Sequence, residues 1–350
     1  MFKTEDFNYS LPKKFIAQNP VSPRDISKLL VFDTSKNLIS HKKFFEISDF
    51  LRSGDVLVIN VSKVIPARIV FYENGSEREI FLLKDCGYSS YQAMVRPGKI
   101  FKVGRCFEIS KGVECCVKEI LEDGTRIIEF ISRNKRRKIS RMIEEIGKIP
   151  FPPYVSETSA SPEQYKTVYA KSKGSVAAPT AGLHFTTGLI RKLEDRGIVI
   201  KEVLLHVSRG TFLPVKSEYV HEHKMHSESF TLNEETADYL NNAKKEGRRI
   251  IAVGTTTVRV LESCYASKNG FVPQSGETDI FIYPGKYRWK TVDALITNYH
   301  LPKSTLLMLV ASFLEGKGIK NPVKKLMDLY ELAKKEKYRF YSFGDAMFLF

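Results

Sequence analysis

Short alternating runs of apolar and polar residues fill the chain from Gly54 to about Ser132. Turn dipeptides separate these runs, namely Asn74-Gly75, Pro97-Gly98, Lys111-Gly112 and Asp123-Gly124. Because short strands joined by glycine-containing turns pair in antiparallel fashion, the pattern predicts a small all-β barrel or sandwich.

The pattern changes after this β region. Residues 140–148 have the composition of a short helix, and the following residues 150–154 (PFPPY) cannot continue it, since proline lacks the backbone N–H. From about Thr187 onward, helical periodicity alternates with apolar strands, as at residues 198–207 and 249–254. This alternation is typical of a mostly parallel or mixed sheet covered by helices.

Together the patterns predict two domains. An α/β main domain with a mostly parallel or mixed sheet takes residues 1–53 and 151–350, and residues 54–150 form an inserted antiparallel β domain that resembles a barrel. A chain of 350 residues is long enough for two such cores.

The charge of the chain is strongly basic, with 55 Lys and Arg against 40 Asp and Glu and a formal net charge of +15. Basic residues cluster at residues 133–138 (RNKRRK) and again at Lys244, Lys245, Arg248 and Arg249. Such clusters attract a phosphate backbone, although each run alone is equally well explained as a solvated surface. With the total charge, they favour an RNA or DNA partner.

Cysteine usage and apolar runs bear on the compartment. The five cysteines form no CxxC pair, and their odd number argues against a disulfide framework, so we expect reduced thiols. The N-terminal residues resemble no signal peptide, and the longest candidate span, residues 306–314, has about half the length that a membrane helix needs. We therefore expect a cytoplasmic protein without membrane contact.

Two motifs follow predicted apolar strands, and ligands of α/β sheets collect at the carboxyl ends of strands. Residues 254–259 (GTTTVR) place a helix N-terminus there, whose free N–H groups can receive a carboxylate or phosphate. Simple capping by Thr255 or Thr256 is the alternative. Residues 298–305 (NYHLPKST) add His300 and Lys303, although a lone histidine is more often structural.

Histidine and carboxylate side chains are concentrated at residues 221–228 (HEHKMHSE), so a metal site is one interpretation. No second cluster supplies further ligands, and we favour one polar histidine from this stretch and no metal.

The densest motif is residues 174–186 (GSVAAPTAGLHFT), which is built mostly of small, apolar or hydroxylated residues before a single imidazole. Small residues let a ligand approach the backbone, and Gly182 is expected to take the unusual dihedral angles of a tight turn. A close-packed loop without a ligand is the alternative.

Specific motifs extend over nearly the whole chain: residues 54–60 (GDVLVIN), 63–68 (KVIPAR), 174–186, 226–228 (HSE), 253–259 (VGTTTVR) and 300–309 (HLPKSTLLML). In these segments the chain resembles the S-adenosylmethionine:tRNA ribosyltransferase-isomerases, a family of queuosine biosynthesis. The resemblance implies that the ribosyl part of S-adenosylmethionine is transferred to 7-aminomethyl-7-deazaguanine in a tRNA anticodon and isomerised to an epoxycyclopentane. Adenine and methionine leave, and the product is epoxyqueuosine in tRNA.

S-adenosylmethionine is then a consumed co-substrate, and no prosthetic group is implied. The implied reaction needs a base near the sulfonium and an acid that helps adenine to leave. By residue type and motif position, our candidates for these roles are His184, His226 and His300, with Glu228 or Asp279 orienting one of them. Candidates for binding the methionine carboxylate, the ribose or a phosphate are Thr180, Gly182, Thr256, Arg259, Lys303 and Ser304.

Two other classes of function remain open on the residues alone, an S-adenosylmethionine-dependent RNA methyltransferase and a non-catalytic RNA-binding protein. Under the family interpretation the partners are S-adenosylmethionine and a tRNA that carries the precursor base. The sequence has no coiled-coil pattern or evident exposed apolar stripe, so we expect a monomer.

Overall fold

The computed structural model describes residues 1–134, 138–208, 210 and 214–350. The strands in these residues are β1 (Lys28–Asp33), β2 (Leu38–Lys43), β3 (Val56–Asn60), β4 (Ser62–Val64), β5 (Arg68–Glu73), β6 (Ser76–Gly87), β7 (Ser90–Arg96), β8 (Cys106–Ser110), β9 (Val113–Ile120), β10 (Arg126–Ser132), β11 (Ser172–Ser175), β12 (Val199–Leu205), β13 (Glu228–Leu232), β14 (Ile250–Val253), β15 (Tyr265–Ala266), β16 (Gly270–Phe271), β17 (Gln274–Thr278), β18 (Ala294–Asn298) and β19 (Ala346–Leu349). The helices are α1 (Ile139–Ile146), α2 (Thr187–Asp195), α3 (Glu234–Lys245), α4 (Thr255–Ser263), α5 (Thr305–Gly316) and α6 (Pro322–Lys335).

The chain divides into two compact units. The first comprises Met1–Ser62, Pro152–Ser172 and Ala178–Phe350, and the second comprises Lys63–Phe151 and Lys173–Ala177. The first boundary therefore lies at Lys63 rather than at Gly54 as the sequence pattern predicted. The reason is β3, which was placed in the β domain but pairs in parallel with β12 and β14 of the first unit.

A mixed sheet organises the first unit, with the strand order β17-β13-β12-β3-β14-β18-β19-β1-β2 among the described residues. Its centre is parallel, since β12, β3, β14 and β18 run in one direction. All residues of β3, β14 and β18 are buried, as expected for parallel strands covered on both faces. The prediction of a mostly parallel or mixed sheet is confirmed.

Caps fix where the helices of this unit begin. The side chain of Asn233 accepts a hydrogen bond from the Thr236 N–H at 2.8 Å and caps the N-terminus of α3. Ser304 caps α5 in the same manner. The helix α5 is almost entirely apolar (TLLMLVASFLEG), and most of its side chains are buried, so it packs as a core element of the unit.

The second unit is an antiparallel sheet with the order β5-β6-β7-β10-β9-β8 in the described part of the chain. Its edge strands β5 and β8 contact each other, which brings the sheet close to a closed barrel and protects both edges. Phe71, Phe101 and Phe107 pack edge-on or tilted against one another in its core. The predicted antiparallel barrel-like domain is confirmed.

A disulfide joins Cys106 and Cys116, whose Cα atoms are 4.1 Å apart, so the expectation of reduced thiols is wrong for these two residues. The cause is strand register, because β8 and β9 pair antiparallel and place Cys106 directly opposite Cys116. A count of cysteines and spacings along the chain does not reveal this pairing. Cys86, Cys115 and Cys264 are free thiols.

Within the described residues, no helix is both long and apolar enough to cross a membrane.

Candidate active site

A cleft of the first unit lies at the carboxyl ends of its parallel strands. It encloses about 550 Å³ of space, part of it open to solvent. β14 leads into Gly254 and β18 ends at Asn298, and both residues line the cleft. Of the residues proposed from the sequence, Thr180, Thr256 and His300 line it as well.

The N-terminus of α4 forms one wall of the cleft. Gly254 precedes the helix with φ of +87°, a conformation that favours glycine, and no side chain in the described part of the chain caps the first turn. The alternative that Thr255 or Thr256 merely caps the helix is therefore wrong. Instead the Thr256 hydroxyl lies 3.3 Å from the Asn60 amide nitrogen, which donates to it. The N–H groups of the first turn have no intrahelical acceptor and suit an anion.

The segment of small residues forms a second wall, where Ala178, Thr180 and Ala181 line the cleft. Gly182 lies in the 3-10 turn Thr180–His184 and does not have a positive φ, so the expected reason for a glycine is wrong. The actual reason is space, since a Cβ at Gly182 would lie 2.0 Å from the hydroxyl oxygen of Tyr169. Only glycine allows this close packing.

His184 is buried behind this wall and is not among the residues that line the cleft. Its ring stacks on Phe44 with centroids 4.9 Å apart. Its Nδ1 lies 2.8 Å from the Ser27 hydroxyl, and its Nε2 lies 3.2 Å from the Asn298 amide nitrogen. Burial, reinforced by the charges of Arg339 and Arg24, lowers the pKa of His184 to about 3. The ring is therefore neutral with both nitrogens occupied.

His300 occupies the floor of the cleft. Its backbone N–H donates to the Tyr330 hydroxyl at 2.9 Å, and its carbonyl accepts from Tyr9. The ring Nε2 lies 3.3 Å from the Thr297 hydroxyl, whereas Nδ1 has no hydrogen-bond partner among the described residues. Burial lowers the pKa of His300 to about 3. A neutral imidazole with an unoccupied nitrogen is therefore present in the cleft.

His226 is partly buried and lies beside a separate cluster formed by Glu228 of β13 and Arg259 of α4. Its Nε2 lies 3.4 Å from the Glu228 carboxylate, and the other carboxylate oxygen of Glu228 forms an ion pair with Arg259. The Ser208 N–H donates to Glu228 at 2.7 Å. Burial and the charge of Arg259 lower the pKa of His226 to about 4. Glu228 therefore holds Arg259 and lies close to His226, whose Nε2 makes no hydrogen bond among the described residues.

Glycine is also required beside this histidine, since a Cβ at Gly210 would lie 2.6 Å from His226 Nδ1. Asp279, the alternative orienting carboxylate, is exposed. Burial lowers the pKa of Arg259 to about 10, and the charge of Asp279 opposes this shift only in part. Glu228, not Asp279, is thus the carboxylate beside a candidate histidine.

Lys303 and Ser304 do not line the cleft. The Lys303 ammonium pairs with the Glu5 carboxylate at 2.5 Å. The Ser304 hydroxyl donates to the Leu301 carbonyl at 2.7 Å and accepts from the Leu307 N–H, so it serves the N-terminus of α5. Within the described residues, no three His, Cys, Asp or Glu side chains converge as a metal site.

The basic runs differ in how far the structure accounts for them. Residues 135–137 of the first run lie outside the described residues. In the second run, Arg249 pairs with Asp55 at 2.5 Å, and the Arg248 guanidinium lies 4.8 Å from the ring centroid of Tyr239. Lys244 donates to the Lys290 carbonyl at 2.5 Å. These contacts favour a structural role for most of the second run.

Sequence reasoning missed several polar residues of the cleft and its support, namely Ser27, Asn60, Asn298, Tyr341 and Ser342. For two of them a signal existed, because Asn60 and Asn298 are the last residues of mostly apolar, fully buried strands. A buried asparagine in that position needs polar partners. The other three residues come from segments that no strand pattern connects to the cleft.

Comparison with known proteins gives a consistent result over the full chain. The model of a family described as "Queuosine biosynthesis protein" matches residues 4–349. An S-adenosylmethionine:tRNA ribosyltransferase-isomerase of Acetivibrio thermocellus is 47% identical over 351 residues, which cover 99% of this chain and 99% of that protein. Its counterpart from Fusobacterium nucleatum is 45% identical over 348 residues, with 99% and 96% covered.

A solved structure is also similar. The crystal structure of an S-adenosylmethionine tRNA ribosyltransferase from Thermotoga maritima matches with 38% sequence identity and a TM-score of 0.56. The match covers 99% of this chain and 100% of that one. Sequence and fold therefore agree over both units.

Proposed function

Since the chain belongs to the S-adenosylmethionine:tRNA ribosyltransferase-isomerase family of queuosine biosynthesis, we propose that it transfers and isomerises the ribosyl part of S-adenosylmethionine onto a tRNA. The acceptor is the aminomethyl group of 7-aminomethyl-7-deazaguanine in the anticodon, and adenine and methionine are released. S-adenosylmethionine is consumed, and no prosthetic group takes part.

The observation that carries the proposal is the cleft at the carboxyl ends of the parallel strands. It combines a helix N-terminus, small wall residues and the neutral ring of His300. The N–H groups of Thr255 and Thr256 suit the methionine carboxylate, because a helix N-terminus carries partial positive charge. Thr180 on the opposite wall can hydrogen-bond a ribose hydroxyl.

We assign proton transfer first to His300. A base must be neutral before it takes a proton, and burial keeps this ring neutral at physiological pH. Nδ1 is the atom without a partner among the described residues, so it is the one available to substrate.

His226 is the second candidate, with Glu228, whose carboxylate lies 3.4 Å from its Nε2, as the group that would stabilise its charged form. Arg259 fixes Glu228 from α4. In this proposal His184 transfers no proton, because both of its ring nitrogens are occupied.

The net charge of +15 suits a tRNA partner, since a basic surface attracts phosphates and accelerates encounter. A tRNA-modifying enzyme of this kind works in the cytoplasm, and we expect a monomer.

The test is to incubate the purified protein with S-adenosylmethionine and precursor-bearing tRNA and to separate the small-molecule products. The proposal predicts free adenine and methionine in equal amounts, dependent on the tRNA. S-adenosylhomocysteine would instead indicate a methyltransferase, and no product would indicate a non-catalytic RNA-binding protein.

The role of His300 is tested in the same assay. We expect His300→Ala to lower turnover by about a hundredfold or more, the usual contribution of a general acid or base. The control is His221→Ala, which changes an exposed histidine and should leave turnover unchanged. Turnover of His300→Ala equal to that of the control would remove His300 from the mechanism.

A further inference from the structure

The orientation of the Asn298 side chain follows from one contact. Its amide nitrogen lies 3.1 Å from the main-chain carbonyl oxygen of Tyr341. A carbonyl oxygen only accepts hydrogen bonds, so the nitrogen of the amide, and not its oxygen, must face Tyr341. The position of the amide oxygen is therefore fixed as well.

The second amide hydrogen of Asn298 settles the state of His184. The amide nitrogen lies 3.2 Å from His184 Nε2, so Nε2 must be the unprotonated nitrogen of the ring. The proton is then on Nδ1, which donates to the Ser27 hydroxyl at 2.8 Å. Stacking on Phe44 fixes the ring plane. Ser27 and His184 thus support the amide from behind the cleft wall.

What remains is the amide oxygen of Asn298. The residue lines the cleft and is only 3% exposed, and this oxygen has no hydrogen-bond partner among the described residues. A buried polar atom without a partner is costly to a fold. Here the two donated hydrogen bonds hold the amide in the orientation that leaves this oxygen unsatisfied, which is the arrangement of a binding site prepared for a donor.

We propose that Asn298 binds S-adenosylmethionine by accepting a hydrogen bond from one of its N–H donors, with His184 and Ser27 as positioning residues. The inference rests on the proposed function for the identity of the ligand. Two groups of S-adenosylmethionine carry such donors, the adenine amino group and the methionine ammonium group. In either case Asn298 recognises a donor that the α4 N-terminus, itself a set of donors, cannot bind.

The first experiment is calorimetric titration of S-adenosylmethionine into Asn298→Ala. We expect the Kd to rise about tenfold, as for the loss of one hydrogen bond to a ligand. The matched control is Asn241→Ala on α3, because Asn241 also makes two hydrogen bonds, to the N–H and the carbonyl of Phe271. This control should lower thermal stability and leave the Kd unchanged.

The second experiment identifies the donor with two analogues, one with oxygen in place of the adenine amino group and one without the α-amino group. The wild type should bind the analogue that lacks the recognised donor about tenfold more weakly than S-adenosylmethionine. In Asn298→Ala that difference should vanish, while the difference for the other analogue persists. Asn298→Leu, which keeps the side-chain volume, serves the same comparison if the alanine variant does not fold.

Both analogue differences persisting unchanged in the folded variants would overturn the inference. The proposed function fails separately. A wild type that binds S-adenosylmethionine with the predicted dependence on Asn298, but releases no adenine with tRNA, would retain the binding residue and lose the reaction.

Discussion

At the scale of single residues, the contacts of each histidine in the first unit, rather than its residue type, decide which role it can take. His184, His226 and His300 were equal candidates in the sequence, yet burial keeps all three neutral and only His300 lines the cleft. His184 is held by Ser27 and Asn298. In the proposed site His184 positions Asn298. The lowered pKa of His184 belongs to the folded state, because burial causes it.

The neutral state of His184 predicts how stability depends on pH. The folded pKa of about 3 lies below the ordinary value of 6.5, so the unfolded chain binds the proton first as pH falls. The contribution to stability is complete above pH 6.5 and is lost as pH falls toward 3. Between pH 6 and pH 4.5, His184→Gln should reduce the slope of unfolding free energy against pH by up to about 1.4 kcal/mol per pH unit.

Urea unfolding at several pH values measures this slope. Gln keeps a donor and an acceptor but does not titrate. The other histidines with lowered pKa values, His206, His223, His226 and His300, contribute to the slope in both proteins alike. A variant slope equal to that of the wild type would show that His184 titrates normally in the folded protein.

Gly182 gives a second prediction at this scale. Gly182→Ala places a methyl group 2.0 Å from the Tyr169 hydroxyl, and such overpacking typically costs about 1–3 kcal/mol. Adding Tyr169→Phe to Gly182→Ala should recover part of this lost stability, because the second change removes the hydroxyl oxygen that clashes. Gly188→Ala is the control, since a Cβ there meets nothing within 4 Å. Thermal unfolding of the four proteins checks the prediction, and equal stability of the two alanine variants would contradict it.

The motif around Gly182 shows how far sequence predicts single residues. Its small residues and its place in the cleft wall follow from composition and spacing. The reason for the glycine and the role of Asn298 do not, because both depend on contacts between distant segments. Asn298 contacts residues that are 43 and 114 positions away. No local pattern encodes such distances.

At the scale of secondary structure, α4 and β13 are joined by the buried ion pair of Arg259 with Glu228. Both side chains are almost completely buried, at 3% and 0% exposure. Removing one partner leaves an uncompensated charge in the interior, whereas removing both does not. This ion pair also fixes the position of the Glu228 carboxylate, which lies beside His226.

Arg259→Met should therefore lower the free energy of unfolding by about 3–5 kcal/mol. The double variant with Glu228→Gln should be more stable than the single one, since the buried charge is gone. Lys324→Met breaks the exposed pair with Asp328 on α6 and should have little effect. Denaturant titrations decide the matter, and a double variant that is less stable than Arg259→Met would speak against the pair as described.

Elements were more predictable than contacts between them. The apolar strands that lead to Gly254 and Asn298 were predicted, because local periodicity determines them. The position of β3 in the sheet of the first unit was not predicted, since its neighbours β12 and β14 come from far along the chain. The Cys106–Cys116 disulfide was missed for a different reason, because it depends on the register of the adjacent strands β8 and β9, which a count of cysteines does not show.

At the scale of the whole molecule, the net charge of +15 is the property that relates most directly to a nucleic-acid partner. The second basic run is largely engaged with protein groups. The first run, residues 133–138, is therefore our candidate for a contact with tRNA.

Neutralising Arg136, Arg137 and Lys138 to Gln should weaken tRNA binding and flatten its dependence on salt, because fewer counterions are released. Filter binding between low and moderate salt measures both effects. The control carries the same charge change on α6, at Lys324, Lys325 and Lys335. Equal affinity and equal salt slopes for the two triple variants would assign the first run to the solvated surface.

The most direct test of the proposed reaction uses two samples of S-adenosylmethionine, one labelled in the ribose and one labelled in the methyl group. Each is incubated with precursor-bearing tRNA, and the label that enters the tRNA is measured. A ribosyltransferase predicts that the ribose label enters the tRNA in equal amount to the adenine released, and that the methyl label leaves with methionine. Methyl label in the tRNA, or no ribose label there, would contradict the account.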